Sequence, residues 1–331
     1  MTSPMTDNTG PQSQRHAATA LPGRGVVQIA GPDAIAFLDK LATNDLDGMA
    51  SGDARFAALL SPQGKVLFEF LAVRPPDDSD PDDSDPSDAS DLAASVRGGL
   101  LLDIAREMAE PLVKRLTLYK LRAKVEIADV SGEYAVVIAA GSHGSSFDDP
   151  RHTALPRRAF VPTATVVADN AASNYEIRDS HDAARIAARI AARVPEMGRD
   201  YASGDLVAHE ALLDRLSGVS FTKGCYVGQE IVARMEHRGT ARKRFVRITA
   251  AALLPPMGTE VRAGEALIGV IGSSVPRDNG ASLGLALLRL DRLAEFEAKG
   301  IALTAGGVTI VPDAADVADL MPKAPDPIAL D

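Results

Sequence analysis

ARFAALLSPQGKVLFEFLAV, residues 54–73, consists of two apolar runs separated by the turn sequence SPQG at residues 61–64. Two apolar runs on either side of a short segment with Pro and Gly are typical of a β-hairpin. A short strand is predicted just upstream, over residues 25–31, and a helical pattern follows it over residues 32–41. The stretch therefore predicts an antiparallel sheet to which at least one helix is attached.

Strand and helix patterns both follow this hairpin. A strand pattern over residues 98–104 is followed by a helical pattern over 105–119 and by two further strand patterns over 123–130 and 133–140. This order favours an α+β lobe of about ninety residues. From Phe245 onward, short β runs separated by glycines indicate a small barrel. The predicted fold class is α+β.

Composition limits the class of protein. The 331 residues are 46% hydrophobic, which is ordinary for a globular protein of two or three domains. No apolar run is long enough to span a bilayer. Residues 1–22 lack the apolar core of a secretory signal and are expected to be a disordered tail. The sequence thus favours a cytoplasmic protein that has no membrane partner.

The net charge of −10 comes mainly from one segment. Residues 77–91 contain eight aspartates, and without them 35 Lys and Arg face 37 Asp and Glu. Such a composition cannot bury apolar surface, so we expect a disordered acidic loop over about 75–95. A second charged pattern is the helix of residues 182–194, where Arg185, Arg189 and Arg193 share one face. The simplest interpretation of that face is that solvent covers it.

Cys225, the only cysteine, lies in the motif KGCYVGQE at residues 223–230. A single cysteine excludes an internal disulfide and cannot supply the four thiolates of an iron–sulfur cluster. Gly224 and Gly228 permit a tight backbone path, and a helical pattern follows them. A helix start and the charge of Lys223 would both favour the thiolate. The alternative is a buried, inert thiol.

A basic segment follows the motif, with six Lys and Arg between residues 234 and 247. It is either a solvated linker or a site for carboxylates, phosphates or RNA. RNA is the less favoured ligand because few aromatic residues lie nearby to stack on bases. His209 and His237 are candidate partners for Cys225 as catalytic bases. No histidine pair has metal-ligand spacing, so no metal site is predicted.

The motif KGCYVGQEIVARMEHRG, residues 223–239, closely resembles the signature of the YgfZ group of folate-binding proteins. These proteins are relatives of the glycine cleavage T protein (GcvT), and a mitochondrial branch shares the signature. Supporting blocks extend the resemblance over residues 24 to about 312, outside the acidic loop. The resemblance implies a three-lobed body with a central channel for tetrahydrofolate. It also implies a role in assembling or repairing iron–sulfur enzymes, with those enzymes and cluster-assembly proteins as partners.

The resemblance also implies domain boundaries. Residues 23–50 and 150–240 would form a discontinuous folate-binding lobe, and residues 51–149 a ferredoxin-like lobe. Residues 241–313 would form the C-terminal β-barrel, with a tail over 314–331. Cys225 is the expected catalytic or ligating residue. The expected folate contacts are Asn44, Glu210, Lys223, Gly224, Tyr226, Gln229, Glu230, Arg234 and Arg238.

One departure from the relatives bears on activity. The aminomethyl-transferring relatives carry an I-L-D-D run after the first hairpin turn, and one of its aspartates is catalytic. Here the corresponding run is Val66 to Glu69, in which Phe68 cannot act as a carboxylate and Glu69 would point to the opposite face of the strand. Ordinary aminomethyl transfer is therefore not expected. The alternatives left open are a folate-dependent one-carbon transferase or demethylase and an RNA-modification-associated factor.

Overall fold

A computed structural model describes residues 16–76, 96, 98–139, 146–167, 175–178, 182–239 and 241–321. The acidic segment over residues 77–91 lies outside the described residues. So do most of the predicted N-terminal tail and the last ten residues of the predicted C-terminal tail. The disorder expected for these three segments stays a prediction.

The first lobe is an antiparallel sheet with the strand order β3-β4-β5-β2-β6. Its strands are β2 (Arg24–Ala30), β3 (Ala54–Leu60), β4 (Val66–Val73), β5 (Leu100–Ala105) and β6 (Glu126–Asp129). Helices α1 (Ala34–Asp39) and α2 (Ala109–Lys120) cover one face, and a 3-10 turn (Arg106–Met108) precedes α2. Strand side chains such as Phe70 and Leu102 pack there against helix side chains such as Leu38 and Leu112. The hairpin predicted across SPQG is present as β3 and β4.

The predicted domain boundary at residue 50 is wrong. Strand β2 pairs with β5 along its whole length, from Arg24 opposite Ala105 to Ile29 opposite Leu100, and β6 pairs with its other edge. Residues 23–50 therefore belong to the same sheet as the hairpin that follows them. The sequence could not reveal this pairing because hydrogen-bond partners in a sheet need not be neighbours in the chain.

The second lobe is built around a five-stranded sheet with the order β10-β1-β7-β9-β8. Its strands are β1 (His16–Ala20), β7 (Tyr134–Ala139), β8 (Ser146–Phe147), β9 (Arg158–Pro162) and β10 (Tyr175–Arg178). Helices α3 (Thr163–Val167) and α4 (Asp182–Ala191) belong to this part of the chain. The predicted disordered tail over residues 1–22 thus has to be shortened, because β1 is paired on both edges.

The C-terminal barrel that the sequence predicts over residues 241–313 is present. Its six strands close in the order β11-β14-β13-β12-β15-β16. They are β11 (Lys243–Ala250), β12 (Glu260–Ala263), β13 (Ala266–Pro276), β14 (Ser282–Arg289), β15 (Leu303–Ala305) and β16 (Val308–Pro312). Helix α6 (Leu290–Ala298) follows β14, and α5 (Gln229–Arg238) leads into the barrel from the cysteine motif. The α+β class with three lobes is confirmed.

The predicted tail after residue 313 begins instead as helix α7 (Ala314–Leu320). Asp313 caps its first turn by accepting a hydrogen bond from the amide of Asp316. The Asp316 carboxylate is buried and accepts hydrogen bonds from Arg247 at 2.7 and 2.9 Å. Burial by itself raises the pKa of Asp316, but the Arg247 guanidinium holds it below the ordinary value. This ion pair fixes the helix on β11.

A single apolar cluster runs through all three lobes. It contains Phe56 from the first sheet, Phe160 from the second and Phe245 from the barrel, together with Leu212 from the segment before the cysteine motif. The lobes therefore share one core. Any group held at their junction is positioned by all three.

We expect the substitution Asp316→Asn to destabilise the protein, because it removes the nearest carboxylate partner of the partly exposed Arg247, whose other partner, Asp313, lies at 3.4 Å. A loss of about 2 kcal/mol is expected, seen as a lower thermal midpoint. The control is Glu260→Gln, which removes an exposed partner of Arg262 and should cost less than about 1 kcal/mol. Equal midpoints for the two variants would contradict the docking of α7 through Asp316.

Candidate functional site

Cys225 lies in the loop that leads into helix α5 and is exposed to solvent. The helix begins at Gln229, four residues after the thiol, and Gly228 before it has a left-handed backbone with φ of 85°. The buried-thiol alternative is therefore wrong for this structure. The thiol is presented by the loop in front of the helix and not by the first helical turn.

Two glycines fasten this loop to the hairpin turn of the first lobe. A side chain at Gly228 would come within 2.6 Å of the Ser61 carbonyl oxygen, and one at Gly64 within 2.8 Å of Ile231. Both glycines also have positive φ, which other residues adopt at a cost. The turn SPQG and the motif GQEI thus pack backbone to backbone. Gly224 differs, because open space surrounds the position of a side chain there.

Lys223 has a different role from the one predicted. Its side chain is 4% exposed, and its ammonium donates to Asp39 Oδ1 at 2.9 Å and to the carbonyl oxygens of Asp39, Ala42 and Asn44 at 2.5–3.1 Å. It therefore caps the C-terminal end of α1, where carbonyl groups lack helical partners. Burial by itself raises the pKa of Asp39, but Lys223 holds it below the ordinary value. The charge expected to act on Cys225 is neutralised here.

Three of the other predicted folate contacts are engaged within the protein. The buried Asn44 amide donates to the carbonyl oxygens of Phe56 and Ser217 at 2.8 and 2.7 Å. A Glu210 carboxylate oxygen accepts from the Val207 amide at 3.3 Å. Tyr226 is buried, which raises its pKa to about 12. These side chains shape the loops around the motif.

The remaining predicted contacts lie on helix α5. Glu230 and Arg234 are exposed and form an ion pair at 2.6 Å, one turn apart. Arg238 is exposed near the end of the helix, and Gln229 is half-buried at its start. Three of these four side chains are thus exposed on the surface of the helix that follows the cysteine loop. The basic segment that follows is partly structural, since Arg244 is buried against Asp214 at 2.6 Å.

His209 was predicted as a possible base for Cys225, but it contacts helix α5 instead. Its Nε2 lies 3.1 Å from a Glu236 carboxylate oxygen. Together with Asp214, these residues bring three ligand atoms within 4.8 Å of one another, a grouping that their sequence spacing does not reveal. Both Asp214 oxygens already accept hydrogen bonds from Arg244. The group therefore ties α5 to the body as a polar cluster.

A large cavity, here called the central cavity, lies where the three lobes meet. It has a volume of about 550 Å³ and is lined by Arg24 and Glu107 of the first lobe, Arg185 and Glu196 beside it, and the backbone at residues 272–274 of the barrel. Its size falls within the range of sites for small organic ligands. None of the predicted folate contacts lines it.

Behind the central cavity lies a buried set of charged side chains, the central network. It consists of Arg24, Asp103, Asp149, Arg151, Arg158, Arg185, Arg189, Glu196 and Asp200, each 9% exposed or less. Arg24 and Arg158 share Asp103, each at 2.5 Å, and Arg189 contacts Asp200 at 2.7 Å. The solvated arginine face predicted for α4 is thus wrong. A helical pattern shows which residues share a face but not what covers that face.

Glu196 is the carboxylate of the central network that faces the central cavity. Burial by itself raises its pKa, but Arg24, Arg189 and Arg185 surround it and hold the pKa well below the ordinary value. Arg199, which is partly exposed, also approaches it at 3.4 Å. The carboxylate is therefore ionised and held in place by several guanidinium groups.

The run of residues 66–69, which differs from that of the aminomethyl-transferring relatives, directs its side chains to both faces of the sheet. Phe68 is buried in the core beneath the helices, whereas Glu69 points to the opposite face. The Glu69 carboxyl accepts hydrogen bonds from the Tyr201 hydroxyl and, at 2.7 Å, from the Met197 amide. Burial raises the pKa of Glu69, against the effect of these hydrogen bonds. Glu69 is thus a buried carboxyl group with a raised pKa beside the central network.

The groups around the central cavity fit a reduced folate in chemical type. A pterin ring offers amide and amino hydrogens that a carboxylate accepts, and Glu107 and Glu196 line the wall. The glutamyl tail of a folate carries carboxylates, and arginine is the side chain best suited to bind them. Arg199 lines the same wall and is partly exposed.

We expect Glu69→Gln to stabilise the protein increasingly as pH rises from about 5 to about 8. A carboxyl group whose pKa is raised by folding contributes its full stability at low pH and loses it as pH rises through the folded pKa. The amide resembles the neutral acid and does not titrate. The measurement is the thermal midpoint of the variant minus that of the wild type across this range. A difference that stays constant, or that favours the wild type at high pH, would show that Glu69 is ionised.

Known proteins resemble both the barrel and the chain as a whole. Residues 242–319 match the family described as "CAF17, C-terminal beta-barrel domain". Over 94% of its length the chain superposes on aminomethyltransferase T of the glycine cleavage system from Bartonella henselae, covering 88% of that chain. The TM-score is 0.64 and the sequence identity is 12%. This likeness shows the fold.

Several similar sequences are described as iron–sulfur cluster assembly factors. The chain is 31% identical over 244 residues to the mitochondrial iron-sulfur cluster assembly factor IBA57 homolog of Mycosarcoma maydis, covering 69% of this chain and 56% of that protein. It is 28% identical over 302 residues to the human mitochondrial iron-sulfur cluster assembly factor IBA57, and the match covers 84% of this chain and 78% of the human protein. The match to the IBA57 homolog of Dictyostelium discoideum covers 60% of that protein. The chain thus spans little more than half of some of these relatives.

None of the helices in the described part of the chain is long and apolar enough to cross a membrane. The homologues are iron–sulfur cluster assembly factors, and the fold is that of the glycine cleavage aminomethyltransferase.

Proposed function

We propose that this protein is a folate-binding accessory factor of the YgfZ type for the assembly or repair of iron–sulfur enzymes. Cys225 is the thiol that contacts the cluster or the partner protein, and a reduced folate occupies the central cavity. The observation that carries the proposal is the exposure of the single cysteine on a loop that the rest of the protein holds in place. The names of the homologues support the same role.

The positioning of the thiol supports its use in a bimolecular contact. Lys223 fastens the loop on one side of Cys225, and Gly228 fastens it on the other. Thiolates are the preferred protein ligands of iron–sulfur clusters. One thiol cannot hold a cluster alone, so the other ligands come from the partner protein or from a small molecule. A rigid, exposed thiol suits such a shared or transient contact.

The central cavity supports folate as the small-molecule ligand. Its volume of about 550 Å³ suits a molecule of this size, and carboxylates and arginines both line it. Ordinary aminomethyl transfer is disfavoured, because Phe68 replaces a carboxylate and Glu69 is paired with Tyr201. The bound folate would then be a structural or regulatory helper for which no transfer step is needed. Among the alternatives, RNA binding gains no support from Arg244 and Arg247, whose charges are paired with carboxylates.

We expect Cys225→Ser to abolish function in a cell that lacks the wild-type gene. The substitution removes the soft ligand but keeps the size of an exposed side chain, so the fold should persist. The measurement is the activity of a 4Fe–4S dehydratase in the deletion strain, after complementation with the wild type or the variant. A fall to the level of the empty vector is expected.

The matched control is Thr222→Ala, a change at an exposed position of the same loop. It should restore wild-type dehydratase activity. Circular dichroism of the purified Cys225→Ser protein should match the wild type. Full activity of Cys225→Ser would remove the thiol from the proposed mechanism and leave the folate proposal untouched.

We expect tetrahydrofolate to bind in the central cavity with Arg199 and Glu107 among its contacts. Isothermal titration calorimetry of Arg199→Ala and Glu107→Gln should show an affinity about tenfold lower than wild type, the usual effect of losing a charge-assisted hydrogen bond. Arg234→Ala, on the outer side of α5, is the control and should bind as the wild type does. Loss of affinity in Arg234→Ala alone would move the folate site to the cysteine loop.

A further inference from the structure

Three large apolar side chains are exposed at the end of helix α2, within a stretch of only four residues. Leu118 is 73% exposed, Tyr119 is 40% exposed and Leu121 is 90% exposed. The opposite face of the helix, with Leu112 and Leu116, is buried in the core of the first lobe. The three exposed side chains therefore contribute little to the packing of this chain. Apolar side chains that cluster on a surface are typical of a place that another molecule covers.

The backbone at Leu121 makes this exposure costly. Its φ is 40°, in the left-handed region, where a side chain is strained. Glycine or asparagine is the usual residue at such a position after a helix. A leucine there gains no burial within this chain that would offset the cost. Strained positions of this kind are concentrated at functional sites.

Cations surround the three apolar side chains. Arg115 precedes them by one turn of the helix, at the spacing of residues that share a face. Arg122 and Lys124 follow them, and all three cations are exposed. None of the three side chains forms an ion pair with a residue that the structure describes. These three cations and the three apolar residues are here called the outer patch.

The short helix α1 connects the outer patch to the cysteine loop. At the start of α1, the Asp33 carboxylate accepts a hydrogen bond from the Lys124 amide at 2.8 Å. At its end, Asp39 accepts one at 2.9 Å from Lys223, two residues before Cys225. The six residues of α1 span about 9 Å at 1.5 Å per residue. Because α1 and α2 cover the same face of the first sheet, the outer patch and the cysteine loop are neighbours on one side of the protein.

The surface between these two contacts is accessible as well. Ala36 of α1 is small and exposed, and Lys40 after the helix is exposed. Phe221 of the cysteine loop is 47% exposed and adds an apolar side chain near the thiol. A standard protein–protein interface covers about 800 Å² on each partner, an area about 30 Å across. One partner can therefore cover Cys225 and the outer patch together.

We infer, on the basis of the proposed function, that the outer patch and Phe221 form the docking surface for an acidic segment of the protein partner that meets Cys225. Carboxylates of this segment pair with the three cations of the outer patch, and its apolar side chains cover the three apolar residues. Complementary charges of this kind speed the encounter and fix the orientation of the two proteins. The partner is thereby held with its cluster site at the thiol.

A protein partner is favoured over an anionic membrane. A helix that lies in a membrane surface buries an apolar face along its length. The apolar face of α2 is already buried in the first lobe, and only the end of the helix exposes large apolar side chains. The outer patch is also continuous with the cysteine loop, where the proposed function places a protein.

The first test measures 4Fe–4S dehydratase activity in the deletion strain, after complementation with two double variants. Arg115→Glu with Arg122→Glu reverses two charges of the outer patch, and Leu118→Ser with Leu121→Ser removes two of its apolar side chains. Each should lower the activity at least about tenfold, because a few central side chains supply most of the binding energy of an interface. Wild-type activity in either double variant would overturn the inference.

The matched control is Arg277→Glu with Arg292→Glu, which makes the same change of charge at exposed positions in the barrel region. It should keep wild-type activity. The outer-patch variants change only exposed side chains, so their circular dichroism should match that of the wild type. Their affinity for tetrahydrofolate in calorimetry should also be unchanged, which separates a docking defect from a defect in the central cavity. An equal loss of activity in the barrel control would contradict a specific docking surface.

The same assay separates this inference from the proposed function. Loss of activity in Cys225→Ser together with full activity in the outer-patch variants would keep the role of the thiol and overturn the docking surface. Full activity in Cys225→Ser together with a loss in the outer-patch variants would remove the role of the thiol and keep the docking surface.

Photocrosslinking in living cells identifies the occupant directly. Leu121→p-benzoylphenylalanine places a photoreactive ketone in the outer patch of the full-length protein. After irradiation, mass spectrometry should find it joined to a peptide of an iron–sulfur protein or a cluster-assembly protein, in which Asp and Glu outnumber Lys and Arg. Adding Arg115→Glu and Arg122→Glu should remove this adduct. Adducts only with lipid, with the protein's own chain or with a second copy, and the absence of any adduct, would each overturn the inference.

Discussion

Arg189 of helix α4 joins three parts of the protein through one guanidinium group. It donates to Asp200 at 2.7 Å, to the carbonyl oxygen of Val194 at 2.6 Å and to Ser273 of the barrel at 2.6 Å. Asp200 in turn accepts from the backbone amides of Ser273 and Glu196. Arg189 and Asp200 are both buried, so contacts with water cannot readily replace this interaction. The positions of α4, of the segment at residues 196–201 and of the barrel depend on it.

The central network also explains how a cavity of about 550 Å³ can persist at the junction of three lobes. Apolar walls alone would tend to close over such a space, since packing gains are lost wherever contact is missing. Charged groups held by several hydrogen bonds resist that collapse, because moving one of them breaks several contacts. Glu196 is held in this way by Arg24 and Arg185. These contacts thus hold the wall of the cavity in place.

The cysteine loop on the outer surface is likewise held in place by several contacts. The ammonium group of Lys223 is paired with Asp39 at the end of α1. Gly64 and Gly228 allow the backbone of the hairpin turn to contact the backbone of the cysteine loop. The residues that the motif carries around Cys225 are therefore mostly used to hold the loop. Cys225 is left exposed on a loop that these contacts hold in place. Cys225 is not among the residues that line the central cavity.

The sequence by itself determined the local elements and the class of the fold. Turn residues and apolar periodicity predicted the hairpin across SPQG and the barrel from Phe245 onward, and the motif around Cys225 predicted the related fold. Those signals are local, because they depend on the preferences of neighbouring residues. Sheet order was decided by tertiary structure: β2 pairs with β5, about seventy residues later, and this moved the domain boundary.

Tertiary structure also decided which charges are buried. The helical spacing of Arg185 and Arg189 is the same for a solvated face as for one that meets Glu196 and Asp200 across the lobe junction. Lys223 likewise has the same sequence neighbours whether it faces Cys225 or the end of α1. The sequence gives the charge of each side chain. Tertiary packing determines which residue neutralises that charge, because long side chains reach residues that are far away in the chain.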